Sequence, residues 1–151
     1  MIYKEENRDL FTVPDDYYLA QCISADFAMG KGIALEFNRR FDLQRKLKAK
    51  YPDFVDEWDY HDDLTTANGF CKLEGKVLNL ITKRNYWQKP TYRTLRAALS
   101  QMHDIAVNNK ISKIAMPVIG CGLDKLRWDI VSEMIKKEYT DTDVEILICK
   151  K

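Results

Sequence analysis

Apolar positions along the chain fall into short continuous runs separated by longer amphipathic stripes. Residues 2–5 read as a short edge strand and 18–24, "YLAQCIS", as a buried one. Residues 33–41 predict a helix, because Ile33, Phe37 and Phe41 recur at i, i+4 and i+8 on one face. Asp42 is placed to N-cap a second, basic helix through residue 50, which Pro52 then terminates. Residues 52–68 are acidic and aromatic, with no clear period. Residues 70–73 and 77–82 read as strands joined by the turn "EGK". The clearest helix covers 91–109, preceded by Pro90, with Leu95, Leu99, Met102 and Ala106 as its apolar stripe. A short buried strand follows at 113–118, then a helix over 128–139 with Ile130, Met134 and Ile135 facing inward. A strand over 144–149 comes last. Strands alternating with helices imply right-handed crossovers and a mostly parallel, mixed sheet. The expected fold class is an α/β three-layer sandwich.

Composition narrows the class. The 151 residues suit one domain, 46% hydrophobic and 31% charged, the balance of a globular protein rather than a disordered one. A net charge of +1 gives no bulk field for nucleic acid. No apolar run approaches membrane-spanning length, and the start "MIYKEENRDLF" lacks the hydrophobic region of a signal peptide. Cys22, Cys71, Cys121 and Cys149 form no CxxC pair, so they are expected to be reduced core thiols of a cytoplasmic protein. His61 and His103 offer no ligand spacing, so no metal or cofactor is expected.

In an open α/β sheet, ligands sit beyond the carboxyl ends of the strands. Three loops fall there: "SADFAMGKGIALEF" (24–37), "GCGLD" (120–124), and the strand exit at Thr82 and Lys83. Gly30, Gly32, Gly120 and Gly122 would let backbone amides approach phosphate oxygens. With helices following both loops, the pair would suit a diphosphate. The competing reading is that these glycines only permit tight turns. Neither loop matches GxGxxG or GxxxxGK[ST], which weakens a Rossmann or P-loop reading.

Four stretches occur together in order: "NRDLF", "QCISADFAMGKGIALEF", "LITKRNYWQKPTY" and "MPVIGCGLDKLRW". In this order and spacing they closely resemble a macrodomain of the terminal ADP-ribose protein glycohydrolase type, also called ALC1-like. The resemblance implies a single α/β/α macrodomain over residues 1–151, with ADP-ribose as its ligand. It places the diphosphate and distal ribose on the loop from Asp26 to Ile33, facing the loop from Ile119 to Asp124. Asp9 matches the aspartate that accepts from the adenine amino group, with the Leu10 backbone beside it. Ser24, Met29, Gly30, Gly32 and Ile33 match the first ligand loop. Ile119, Gly120, Cys121, Gly122 and Leu123 match the second, with Thr82 and Pro117 at the adjoining strand ends.

Two departures stand out. Arg8 replaces a glycine common in macrodomains, and "ISAD" replaces the usual Asn-Ala-Ala-Asn. The asparagine that many hydrolytic macrodomains place near the distal ribose is thus absent, which argues against their water-activation scheme. The resemblance implies a different one. Lys83 matches a lysine nucleophile that attacks C1″ of the distal ribose, and Asp124 its acid/base partner. Taken alone, Lys83 would be a solvated charge and Asp124 a helix cap. Lys31, Arg84 and Lys89 are expected as rim charges. Tyr86, Trp87 and Tyr92 either form a substrate rim or pack the following helix, and "RKLKAK" is a solvated face.

The expected activity is removal of mono-ADP-ribose from glutamate or aspartate esters on proteins, with O-acetyl-ADP-ribose deacetylation as a second reaction. The partners are then ADP-ribose and ADP-ribosylated proteins, with nucleic acid open, no membrane, and a monomeric chain. Three competing functions stay open: a reader without turnover, an ADP-ribose-1″-phosphate phosphatase, and a hydrolase of ADP-ribosylated nucleic acid.

Overall fold

The computed structural model describes residues 1–60, 68–122 and 124–151. Six strands form one sheet: β1 (Ile2–Glu6), β2 (Tyr18–Ser24), β3 (Phe70–Glu74), β4 (Val77–Lys83), β5 (Lys113–Met116) and β6 (Glu145–Cys149). Their spatial order is β1-β6-β5-β2-β4-β3. Every neighbouring pair is parallel except the β3–β4 hairpin. The helices are α1 (Gly32–Phe41), α2 (Leu43–Lys50), α3 (Phe54–Tyr60), α4 (Tyr92–Asn108) and α5 (Trp128–Tyr139), and a short 3-10 turn covers Leu10–Thr12.

The sheet carries a core on each face. On one, Leu78, Leu80, Ile114 and Ile146 meet Leu95, Leu99 and Met102 of α4 and Val131 and Ile135 of α5. On the other, Leu19, Ile23 and Ile81 meet Phe37, Leu43, Leu47, Phe54 and Trp58 of α1, α2 and α3. Central strands buried on both sides read as near-continuous apolar runs. β2 and β4 each carry one buried amide, and Gln21 Nε2 donates to Asn79 Oδ1 at 2.9 Å across the pair. The expected three-layer α/β/α sandwich is the observed fold.

Several details differ from the sequence reading. A helix, α3, forms inside the stretch that showed no period, and residues 61–67 of that stretch lie outside the described residues. Its buried contacts are Phe54 and Trp58, one turn apart, and two anchors are too few to register as a stripe. β5 stops at Met116, because Pro117 has no N–H for the ladder. In α5, Ile135 is buried as expected and Met134 packs partly buried against the core, but Ile130 is exposed; Val131 and Tyr139 complete the buried face. In α1 only Phe37 is fully buried, and Ile33 is exposed at the loop mouth.

Asp42 stands at the N-cap of α2 but adopts a left-handed conformation, and its side chain caps nothing. Its carboxylate pairs with Arg45 at 2.6 Å, while Asn38 Oδ1 accepts from the Gln44 N–H at 2.9 Å. Thr91 caps α4 with a reciprocal bond to Thr94. All four cysteines are free; Cys71 and Cys149 are buried, Cys22 and Cys121 only partly so.

Candidate ADP-ribose site

The carboxyl ends of β2, β4, β5 and β6 open on one edge of the sandwich, from which the predicted loops leave. A groove of about 280 Å³ is lined there by Asp9, Leu10, Phe11, Ile33, Glu36, Arg40, Pro117, Cys149 and Lys151. Asp9, Leu10, Ile33 and Pro117 were expected. Phe11, Glu36, Arg40, Cys149 and Lys151 were not. Arg40 lies 4.4 Å above the Phe11 ring and donates to Glu36 at 2.7 Å. The Glu36–Arg40 spacing was legible as an i, i+4 pair, but no sequence signal brings Phe11 beneath it. Asp9 is exposed; its Oδ1 accepts from the Phe11 N–H at 2.9 Å, which leaves Oδ2 as a second acceptor at the groove. Burial first of all pushes the Cys149 thiol up to about 11, so it lines the groove as a neutral group.

A larger cavity, about 650 Å³, lies at the other end of α4 and α5 and contains none of the predicted residues. It opens between His103, Lys110, Glu138 and Asp143, at the amino ends of β5 and β6. Ligands of open α/β sheets bind at the opposite edge, so the smaller groove is the candidate site.

The first ligand loop leaves β2 through Ser24, which is buried, and reaches the exposed Gly30 by way of the buried Met29. Gly32 is left-handed at φ 58° and opens α1, so the amino end of that helix faces the groove. The second loop turns at Gly120, at φ 73°, and closes through the Leu126 N–H to Gly120 carbonyl bond at 2.7 Å. Ile119 is buried beneath it, and Cys121 Sγ donates to the Ile119 carbonyl at 3.3 Å. Leu123 lies outside the described residues. Gly30 and Gly122 differ from the other two: neither is left-handed, and an added Cβ at either would meet nothing within 4 Å. The fold itself therefore does not require glycine at these two positions. The helix expected after the second loop, α5, starts at Trp128 as read from the sequence, with Lys125, Leu126 and Arg127 between it and Asp124.

Lys83 closes β4. The β2–β4 register runs evenly to Ile23 opposite Ile81, then shifts so that Ser24 faces Lys83. Thr82 is the extra residue of this bulge; it is buried, and its Oγ1 has no hydrogen-bond partner among the described residues. Bulges of this kind re-aim the side chain that follows. Lys83 Nζ lies 2.7 Å from Asp124 Oδ1, with side-chain exposures of 15% and 17%. The pair is sheltered but reachable. Cys22 is the other nucleophile nearby. Burial, reinforced by the Asp124 charge, holds its thiol well above the ordinary value, so it is not a thiolate competitor.

The rim residues divide. Tyr86 and Trp87 are exposed and pack edge to face, with ring centroids 5.3 Å apart. Tyr92 is structural: its hydroxyl accepts from the Arg127 N–H at 3.0 Å, tying the starts of α4 and α5 together. Arg84 is engaged by Asp59 through two bonds, at 2.7 and 2.9 Å. Lys31 and Lys89 are exposed.

Known proteins resemble this chain in sequence and in fold. The Macro domain family profile matches residues 23–135. The chain is 35% identical over 141 residues to the human protein named ADP-ribose glycohydrolase OARD1, covering 93% of this chain and 86% of that one. By structure it resembles the macrodomain of Thermus aquaticus DarG, with a TM-score of 0.78, 19% identity and 99% of both chains covered. It also resembles Thermosipho africanus DarTG solved in complex with ADP-ribose, with a TM-score of 0.66 and 17% identity. That match spans 91% of this chain and 39% of the other. With its sheet order, its paired glycine loops and a relative of this identity along most of its length, the chain belongs to the macrodomain family.

Proposed function

We propose that this macrodomain is an ADP-ribosyl hydrolase that releases mono-ADP-ribose from glutamate and aspartate esters on proteins. The observation that carries the proposal is the Lys83–Asp124 pair, 2.7 Å apart, at the edge where two glycine loops leave room for a diphosphate. The human relative's name, an ADP-ribose glycohydrolase, supports the same class of chemistry.

The adenine lies in the groove beside Asp9, and the diphosphate runs between the loops at Gly30 and Gly122. The distal ribose then reaches Lys83. An ammonium has no free electron pair, so Lys83 first passes a proton to Asp124. Nζ then attacks C1″, the bond from C1″ to the ester oxygen breaks, and the glutamate or aspartate leaves as a carboxylate. Attack leaves Nζ a four-bonded ammonium that needs no further proton to depart. Once Asp124 has given its proton to solvent, its carboxylate takes one from the water that attacks C1″. The C1″–Nζ bond breaks with its electrons going to Nζ, and ADP-ribose leaves with the Lys83 amine neutral, ready to regain its proton from Asp124. A carboxylate is a good leaving group, whereas an amide or guanidine nitrogen is not, so ester linkages suit this scheme. Deacetylation of O-acetyl-ADP-ribose is a second reaction of the same site.

The test is calorimetric titration with ADP-ribose, followed by a release assay on a protein auto-modified at glutamate. Binding in the micromolar range with release supports the hydrolase. Binding without release from any ester leaves a reader. Preferential release of inorganic phosphate from ADP-ribose-1″-phosphate would make the protein a phosphatase. Preferential release of unmodified DNA would make it a hydrolase of ADP-ribosylated nucleic acid.

A further inference from the structure

Asp26 closes the stretch "ISAD". Beyond the end of β2 the ladder with β4 continues. The Ala25 N–H donates to the Lys83 carbonyl at 2.8 Å, and the Asp26 N–H to the Arg84 carbonyl at 3.2 Å. The Asp26 side chain then joins two loops. Its Oδ1 accepts from the Ser24 hydroxyl and from the Ala28 N–H, the latter at 3.1 Å, inside the first ligand loop. Its Oδ2 accepts from the Tyr86 N–H at 3.2 Å, in the loop that leaves Lys83.

Between these contacts sits Phe27, buried and left-handed at φ 55°. A bulky residue adopts that conformation only where its surroundings over-determine it, and such strain gathers at functional sites. Its neighbours do so here. Phe54 packs against the ring at 5.6 Å, and Gln44 Nε2 donates to the Phe27 carbonyl at 3.0 Å. The nearby guanidinium of Arg84 is already held by Asp59, so neutral N–H and O–H donors fix the Asp26 carboxylate in direction.

The geometry points to Asp26 as a positioning residue: it fixes the diphosphate loop relative to Lys83 and couples ligand on that loop to the Tyr86–Trp87 rim. This rests on the hydrolase reading for its catalytic consequence, but the coupling itself does not. Asp26 touches no reacting atom in this arrangement. It sets where C1″ stands when the diphosphate is bound.

The informative variant is Asp26→Asn. Asparagine keeps one oxygen for Ser24 and Ala28 but turns an NH2 toward the Tyr86 N–H, cutting the tie between the loops. ADP-ribose affinity should stay within about twofold, while kcat for release falls roughly tenfold to a hundredfold from misplacement of the sugar. Asp26→Ala, which removes both arms, should lose affinity as well. The readout independent of turnover is amide hydrogen exchange at Tyr86. In the unsubstituted protein, ADP-ribose should slow it; in Asp26→Asn it should be fast and indifferent to ligand. If ADP-ribose leaves Tyr86 exchange unchanged in the unsubstituted protein, the coupling is wrong, whatever the variants do. An undiminished kcat in a folded Asp26→Asn overturns the positioning role alone. If the unsubstituted protein binds ADP-ribose but never releases it from an ester, the hydrolase reading fails, and the exchange comparison still decides for or against Asp26.

Discussion

Lys83 Nζ stands 2.7 Å from Asp124 Oδ1, although the two residues are 41 positions apart and reach the site from different loops. Neither is fully exposed nor fully buried, so the pair is preserved without being sealed off. On the proposed mechanism the lysine acts mainly after the ligand is bound. Lys83→Ala should therefore abolish release of ADP-ribose from a glutamate-linked substrate while ADP-ribose binding stays within about 1 kcal/mol. Calorimetry and a release assay on the same preparation check this. Full activity in Lys83→Ala would sink the covalent route and leave water activated by Asp124 as the better account.

The glycines give a test that separates ligand contact from turn geometry. Gly120 is left-handed, and an added Cβ would meet Leu126 Cδ1 at 3.1 Å, so Gly120→Ala should destabilise the fold by about 1–2 kcal/mol. At Gly30 and Gly122 nothing in the fold opposes a methyl group. Gly30→Ala and Gly122→Ala should melt with the unsubstituted protein but bind ADP-ribose about tenfold more weakly, near 1.4 kcal/mol each. Thermal melts beside calorimetric titrations resolve the two effects. Unchanged affinity in both variants would mean that the diphosphate does not lie against these residues.

How much of this could be read from the chain depends on the range of the interactions involved. Stripes such as Leu95, Leu99 and Met102 are local, and α4 was legible almost to the residue. The two glycine loops were legible because turn chemistry is also local. The bulge that inserts Thr82 opposite the Ile23–Ser24 step was not, since it arises from how β2 and β4 align at a sequence separation of 58, that of their Gln21–Asn79 contact. The Phe11–Arg40 wall of the groove is likewise a meeting of the amino-terminal turn with α1. Asp26 stands out in the sequence as a departure from a motif, but its bond to Tyr86 is a long-range contact that no spacing encodes. Asp42 failed as a cap for the opposite reason: the left-handed backbone that separates α1 from α2 aims its carboxylate at Arg45 instead.

On the proposed reading adenine recognition falls to Asp9, whose Oδ1 is engaged by the Phe11 N–H and whose Oδ2 would face the ligand. Asp9→Ala should weaken ADP-ribose by about 1–3 kcal/mol, the cost of a polar contact left unmatched. Part of that loss would come from the turn, since the same substitution releases Phe11. GDP-ribose provides the control, because a six-position carbonyl on the purine offers Asp9 no donor. The unsubstituted protein should prefer ADP-ribose, and Asp9→Ala should lose most of the preference. Equal affinity for the two ligands in the unsubstituted protein would remove Asp9 from adenine recognition.

Asp124→Ala should also lose turnover, but by a different failure from Lys83→Ala. With the carboxylate gone, Lys83 loses its partner at 2.7 Å, and solvent water takes the lysine proton in its place. Attack at C1″ can then still occur, since the departing carboxylate needs no protonation to leave. Resolution is the step that fails, because no carboxylate remains to take the proton of the water that must attack C1″. The lysine adduct should accumulate. Intact-mass spectrometry of Asp124→Ala after incubation with a glutamate-linked substrate should show a protein heavier by one ADP-ribosyl unit, and peptide mapping should place that mass on Lys83. The double variant Lys83→Ala with Asp124→Ala should show no added mass under the same conditions. An inactive Asp124→Ala that never gains mass would make Asp124 the obligatory acceptor of the lysine proton in the first step, with no substitute from solvent. Added mass on any residue other than Lys83 would overturn the assignment of the nucleophile.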